Sequence, residues 1–443
     1  MNQVEFEKAL DDVPKRKREV LKLFLMGHSD ADIGKKLNIE ANTVARHIAE
    51  TCKIFGLSNG EGEHYCYRYD LFDIFIDHLP TWVSPEKIKE YRLVHQEEPP
   101  FPGRGLKAGS PFYIERSQAE FRSQSAIRQP GGLLRICAPR KMGKRSLLNR
   151  LIKTAKDDLE YRIATLSFNE LEEPMLKSLD LLLKWFCETL SYELGLPATI
   201  EDHWNETVGC KTSCTRYLQS YVLTKINQPI LIAMDDVDRL FESPAVAVGF
   251  FSLVRGWAEE SKTKEIWENF RQIISYSTDV YIDFPTDQSP FNVGRPVTLE
   301  ALSVQQVLTL ARQYGGASLA QFGEAEAETL LGFVGGTPHL IQLALYHIYE
   351  DKIALADLQR SQRVFMNIYA NHLESLERKL EAYPALLKTF KEVVAAKAPV
   401  KLNRRLTKQL TGLGVVQSTE LEGQVKISCR LYQQYFDAQW DLG

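Results

Sequence analysis

At 443 residues the chain exceeds what one ordinary hydrophobic core organises, and roughly two to four domains is the expectation. Hydrophobic residues make up 44% and charged residues 25%, the composition of a folded globular protein, which excludes a disordered or fibrous chain. The formal charge of -4 excludes a globally basic nucleic-acid binder, so contact with DNA has to come from a local patch.

The opening MNQVEFEKALDD lacks the basic stretch and apolar run of a signal peptide, and no segment reaches the roughly 18 consecutive apolar residues of a membrane span. The expectation is a cytoplasmic protein without membrane contact. Seven cysteines, an odd number without framework spacing, argue against a secreted disulfide scaffold. Cys210 and Cys214 are close, but no second pair or histidine cluster completes a zinc site, and they read as structural thiols. Neither an internal repeat nor a low-complexity tract is evident.

Residues 1–94 carry a helical apolar period. Between residues 13 and 58 three helices can be laid out, burying Val20, Leu21, Phe24 and Leu25 on the first, Ile33 and Leu37 on the second, and Val44, Ile48 and Cys52 on the third. Gly27 stops the first helix and Ser29 or Asp30 caps the second. The third begins near Glu40, and so short a connection suits a helix-turn-helix whose second helix enters the major groove.

The stretches KREVLKLFLMGHSDADIGKKLNI and EANTVARHIAETCKIFGLSN resemble the LuxR family of bacterial DNA-binding domains over about 45 residues. The resemblance implies that the helix from Ala41 to Phe55 reads double-stranded DNA. On it Asn42, Thr43 and Arg46 can face the groove, while His47 and Lys53 can meet phosphates. Ala45 stands where the family usually has a lysine that reaches DNA, and Asp30, Asp32, Glu40 and Glu50 offset the basic cluster from Lys15 to Arg18, so modest affinity is expected. A protein-docking role for the same three helices is the plainer alternative.

Pro, Gly and charge dominate residues 95–109, read as an interdomain linker. Beyond it the apolar runs GLLRICA, YRIATLSF, PILIAMDD and RQIISYST alternate with amphipathic helices, the pattern of an α/β parallel sheet. After Leu133 to Cys137 comes APRKMGKRSLLNRLI, with Gly143 and Lys144 where a Walker A loop has them. Such a loop cradles phosphates on backbone N–H groups, its lysine reaches the β- and γ-phosphates, and its hydroxyl holds magnesium. PILIAMDDVDRLF has the form of a Walker B strand, in which Asp235 orients magnesium and Asp236 stands where a catalytic acid activates water. The bland alternative is that Asp235, Asp236 or Asp238 caps a helix after a buried strand.

Residues 110–440 resemble the AAA-like domain family, found mainly in cyanobacteria and related to the STAND signalling NTPases. The resemblance is carried by PFYIERSQAE, LLRICAPRKMGKRSLL, LLLKWFCETL, ILIAMDDVDRLFE, QSPFNVG, VGGTPHLIQLALY and CRLYQQYF. It implies an AAA+-type sheet at 110–300, a helical lid at 301–375 and a C-terminal winged helix at 376–443, with ATP or ADP as cofactor. It further implies that Arg116 lies beside the adenine, that Thr278 is a sensor-like residue, and that Gly336 and Pro338 belong to a lid motif touching the base. Thr278 as a plain strand-end hydroxyl, and GGTP as a helix stop and start, remain open alternatives.

Family members usually read GKTS and DEVD, whereas this chain reads GKRS and DDVD. Arg145 removes the magnesium-holding hydroxyl, Ser146 is turned about 100° around the helix, and Asp236 is one methylene short. Hydrolysis is expected to be slow or absent, leaving Asp236 vestigial and Asp235 a weak magnesium ligand at best. Arg145 either partly replaces the metal cation or blocks the pocket, and the sequence leaves both open.

Three functions compete: a DNA-binding transcriptional regulator or signalling switch set by nucleotide, an active ATPase of a conflict or mobile-element system, and a pseudo-ATPase scaffold. A protein partner or self-association is expected besides DNA. A basic set, Lys401, Arg404, Arg405 and Lys408, gives the C-terminal unit either a second DNA contact or, the favoured reading, an internal role against the core.

Overall fold

The computed structural model describes residues 3–57, 68–84, 87, 98–278 and 294–440, so the QSPFNVG stretch falls mostly outside the described residues. The chain divides into two compact units, Met1–Glu98 and Pro99–Gly443.

The first unit is helical: α1 (Gln3–Asp11), α2 (Lys15–Leu25), α3 (Asp30–Leu37), α4 (Ala41–Ile54) and α5 (Arg68–His78). Its core is the spacing pattern made solid. Val20, Leu21 and Leu25 of α2, Ile33 of α3, and Val44 and Ile48 of α4 close on Phe6 and Phe75, all buried. Ser29 caps α3 by accepting from the Asp32 amide, and Gly27 leaves α2 with φ +89°. A Cβ at Gly34 would come within 2.6 Å of the Ile39 carbonyl, so this glycine lets the α3–α4 connection turn tightly.

The second unit holds a five-stranded, fully parallel sheet in the order β2-β3-β4-β1-β5, built from β1 (Leu133–Ala138), β2 (Arg162–Ser167), β3 (Ile230–Asp235), β4 (Phe270–Ser277) and β5 (Arg295–Thr298). β1, β3 and β4 are buried along their whole length, as strands covered on both faces must be. Side chains alternate between faces. Leu231 and Ala233 meet α6 (Ser117–Arg128) and α7 (Lys144–Asp157) on one side, while Ile230, Ile232 and Met234 meet α8 (Leu179–Glu193) and α9 (Pro244–Glu260) on the other. Cys214 is buried against Cys187, with Sγ atoms 3.5 Å apart, and Cys210 is half-buried, in keeping with packing thiols.

After β5 come α10 (Val304–Tyr314), α11 (Glu324–Val334), α12 (Pro338–Glu350) and α13 (Gln362–Glu381). The chain ends with α14 (Pro384–Ala396), α15 (Arg404–Leu413), a small antiparallel sheet of β6 (Val400–Lys401), β7 (Val416–Ser418) and β8 (Gln424–Ile427), and α16 (Arg430–Trp440). Two boundaries differ from the sequence reading. α13 runs through the division expected at 375/376, and one continuous apolar cluster joins α10–α13 to α14–α16, because neither group buries its apolar face alone. Nor is the whole of 95–109 a linker. Leu106 donates its amide to Ser146 and accepts from Asn149, and the Ala108 carbonyl accepts from Arg150, so this segment is docked on α7. Among the described residues no helix is long and apolar enough to cross a membrane.

Candidate functional site

In an open parallel sheet the ligand crevice lies beyond the carboxyl ends of the strands. Here β1 ends at Ala138, the loop Pro139–Gly143 follows, and Gly143 (φ +90°) turns the chain into α7. Lys141 in that loop also holds a left-handed φ of +68°, an uncommon conformation for a non-glycine residue and one that clusters at functional sites. Next to this loop, β3 delivers Asp235 and Asp236. A cavity of about 660 Å³ opens between them, within the range usual for small-molecule sites.

Of the residues singled out in the sequence, Arg116, Gly143, Lys144, Arg145, Ser146, Asp235, Asp236 and Pro338 line this cavity. Lys144 folds back, its Nζ donating to the carbonyls of Ala138 and Pro139 at 3.0 Å each. Arg145 reaches across to the acids: Nε donates to Asp235 Oδ2 at 2.6 Å and an Nη donates to Asp236 Oδ2 at 2.8 Å. The Asp235 carboxylate raises the guanidinium's already high pKa, opposed by partial burial. Burial and neighbouring Asp235 hold the Asp236 carboxyl above the usual range, although Arg145 pulls it down. Asp236 also accepts from Asn169 Nδ2 at 2.6 Å. Asp236 stands at the N-cap position of the short helical turn that follows β3, but its side chain makes no capping hydrogen bond; Asp238 is buried and accepts from the Ser277 amide.

Other assignments change. Thr278 is not among the residues lining the cavity, because its hydroxyl donates to the Gly412 carbonyl of α15 at 3.0 Å. Gly336 is likewise absent from the lining; its carbonyl accepts from the Leu302 amide, and Ala301 lies where a Cβ would go. Arg116 is almost wholly buried, with Nη1 donating to the Met142 carbonyl at 2.7 Å, which pins it against the loop. The sequence reading missed Arg104, Arg140, Lys141 and Asn169 on the polar side and Phe112, Leu302, Leu310 and His339 elsewhere in the lining. Arg140 and Lys141 were visible as loop positions between the motif residues; the others depend on tertiary placement. Burial above all, then Lys141, holds the His339 imidazole down at about 3, and His372 beside it at about 4. His372 in turn meets the Tyr432 hydroxyl at 2.7 Å.

A polyphosphate fits this donor set: six basic residues against two carboxylates in the lining, a helix N-terminus, and an apolar flank of Phe112, Ile114, Leu302 and Leu310 for a base. Magnesium does not fit. Position 145 offers no hydroxyl, Ser146 Oγ already accepts from Leu106, and a guanidinium sits on both acids. Among the described residues no cluster of three or more His, Cys, Asp or Glu could hold a metal ion.

In the first unit, Asn42, Arg46 and Lys53 are exposed on α4, and Thr43 and His47 are half-buried. Two of the acids expected to offset this region are paired, Glu50 with Lys17 at 2.9 Å and Asp30 with Arg68 in a two-bonded contact.

A parallel sheet with a glycine-turned, lysine-led helix after its β1 strand and an acid-tipped strand two places along the sheet, with β4 between them, defines a P-loop nucleotide-binding module. The chain belongs to the AAA-like domain family, whose match covers residues 101–438. Among solved structures, the chain is similar to a Walker-type ATPase of Pyrococcus abyssi, with 14% identity and a TM-score of 0.51 over 75% of this chain and 98% of that one. It is also similar to the ORC2 protein of Aeropyrum pernix, solved with ADPNP and ADP, with 14% identity and a TM-score of 0.47 over 79% and 98%. Identities this low speak to the fold alone. No curated protein matches the sequence.

Proposed function

We propose that this chain is a DNA-binding regulator or signalling switch whose AAA-like module holds ATP or ADP and hydrolyses it slowly or not at all. The observation that carries the reading is the cationic cavity at the amino end of α7, in a chain that also presents Asn42, Arg46 and Lys53 on one helix. Lys144 leaves its carbonyl partners for the β- and γ-phosphates, Gly143 and the first turn of α7 supply N–H groups, and Pro338 with the apolar flank covers the base. Slow hydrolysis follows from Asp236: a carboxylate held by Arg145 and Asn169 is poorly placed to take a proton from water.

The α2–α4 arrangement supports reading residues 13–57 as a helix-turn-helix of the LuxR type, with α4 in the major groove of double-stranded DNA. Asn42, Arg46 and Lys53 lie along one face at i, i+4 and i+11, with Thr43 and His47 at its edge. We read α14–α16 with the β6–β8 sheet as a winged helix acting on the core, since α15 bonds the end of β4 and Gly414 packs near Pro139 of the P-loop. Calorimetry tests the nucleotide half: the wild type binds ADP or ATP, and Lys144→Ala abolishes binding while its circular dichroism is unchanged. Equal binding by both proteins rejects the site.

A further inference from the structure

The position at which a P-loop site carries its magnesium lies between the loop hydroxyl and the strand-end acid. In this chain both ends of that position are taken. Arg145 replaces the hydroxyl and its guanidinium spans Asp235 and Asp236 with two short ion pairs. Glycine at 105 is what allows the overlying segment to run across the arginine, since a Cβ there would meet Arg145 Cγ at 2.6 Å. That segment continues into Leu106, whose amide engages the Ser146 hydroxyl, withdrawing the neighbouring oxygen from metal binding. The arginine is therefore built in, held from below by the two acids and from above by the 105–106 backbone.

We infer that the pocket takes a nucleoside polyphosphate free of divalent metal, with the Arg145 guanidinium as its permanent cation. The inference rests on the nucleotide-binding reading above and sharpens its ligand. Three features supply the charge balance that magnesium would otherwise provide. The two ion pairs use two of the five N–H groups of the guanidinium, whose fork suits phosphate oxygens. Asp235 and Asp236 share one guanidinium that cancels one of their two charges, so they repel an incoming anion less than bare acids would. Arg104, Arg116, Arg140, Lys141 and Lys144 complete a lining in which positive charge exceeds negative without any ion added. A divalent cation entering with the nucleotide would have to displace the guanidinium from both carboxylates, and so would bring no net gain.

The experiment is calorimetric titration of the full chain with ADP and with ATP, once in EDTA and once in excess magnesium chloride, for the wild type, Arg145→Thr and Arg145→Lys. The wild type binds in EDTA, and no more tightly in excess magnesium, which draws the free nucleotide into its metal complex. Losing a charge-assisted contact weakens Arg145→Thr in EDTA by about 10- to 100-fold, and magnesium restores it, since threonine and the freed acids then form a metal site. Arg145→Lys keeps the charge without the fork, folds without leaving the acids bare, and binds in EDTA more weakly than wild type. Wild-type binding that requires magnesium overturns the inference and leaves nucleotide binding standing. Arg145→Thr binding in EDTA as tightly as wild type removes Arg145 as the cation and overturns it too. Absence of binding in both buffers overturns this inference and the nucleotide reading together.

Discussion

Gly412 tests how firmly the C-terminal elements are seated on the sheet. It lies near the end of α15, where replacing glycine by alanine would ordinarily stabilise a helix by about 1 kcal/mol. At this position the added Cβ would come 2.1 Å from the Thr278 carbonyl oxygen and 3.0 Å from its carbon, both backbone atoms at the end of β4. Backbone cannot rotate aside as a side chain can, so α15 must lift and the Thr278 hydroxyl loses the Gly412 carbonyl. Overpacking of this kind costs about 1–3 kcal/mol, which outweighs the helical gain. Gly256 in α9 and Gly332 in α11 provide the control, because nothing lies within 4 Å of a Cβ at either. Urea unfolding followed by tryptophan fluorescence should place Gly412→Ala below the wild type and Gly332→Ala about 0.5–1 kcal/mol above it. If both alanines stabilise alike, α15 is not seated on β4 as described.

Acid should weaken the second unit through its buried histidines. His339 and His372 are held near 3 and 4, below their ordinary value of 6.5, so the unfolded chain takes up protons first as pH falls. Stability present above pH 6.5 therefore declines below it, by about 2 kcal/mol per histidine between pH 7 and pH 5, and His339→Gln should remove roughly half of that slope in urea titrations at the two pH values. Ser146→Ala deletes the acceptor of the Leu106 amide; a loss of about 1 kcal/mol with faster proteolysis near residue 106 is expected, and unchanged proteolysis would deny the docking of that segment. On DNA, Arg46→Ala should lower affinity for the preferred sequence by about 1–3 kcal/mol in fluorescence anisotropy, whereas Ala45→Lys should raise affinity for any duplex and steepen its salt dependence. An Arg46→Ala protein that binds as the wild type does would move the reading surface off α4.

Some of this was legible in the sequence for simple physical reasons. Strands buried on both faces, such as Ile230–Asp235, write themselves as continuous apolar runs, and Gly143-Lys144 before an amphipathic helix, weak by itself, points to a phosphate loop once a second such strand ends in Asp235 and Asp236. Whether Arg145 fills the metal's place or blocks the pocket could not be read from spacing. It depends on Asp235 and Asp236 lying within reach, ninety residues away in the chain, and on Gly105 making room above. Thr278 failed as a cavity residue for a related reason: its partner, Gly412, comes from an element that sequence order places far from β4. The 95–109 stretch has the composition of a linker, but composition records the absence of periodic burial, and a docked segment held by backbone hydrogen bonds leaves no such period.

The central claim is that nucleotide in the AAA-like module changes how the chain engages DNA. It is tested most directly by the DNA affinity of the full chain with and without saturating ADP, and again in Lys144→Ala. A shift of about 5- to 150-fold that disappears in Lys144→Ala is the predicted result. The same DNA affinity at every ADP concentration, with calorimetry showing the nucleotide bound, would contradict it.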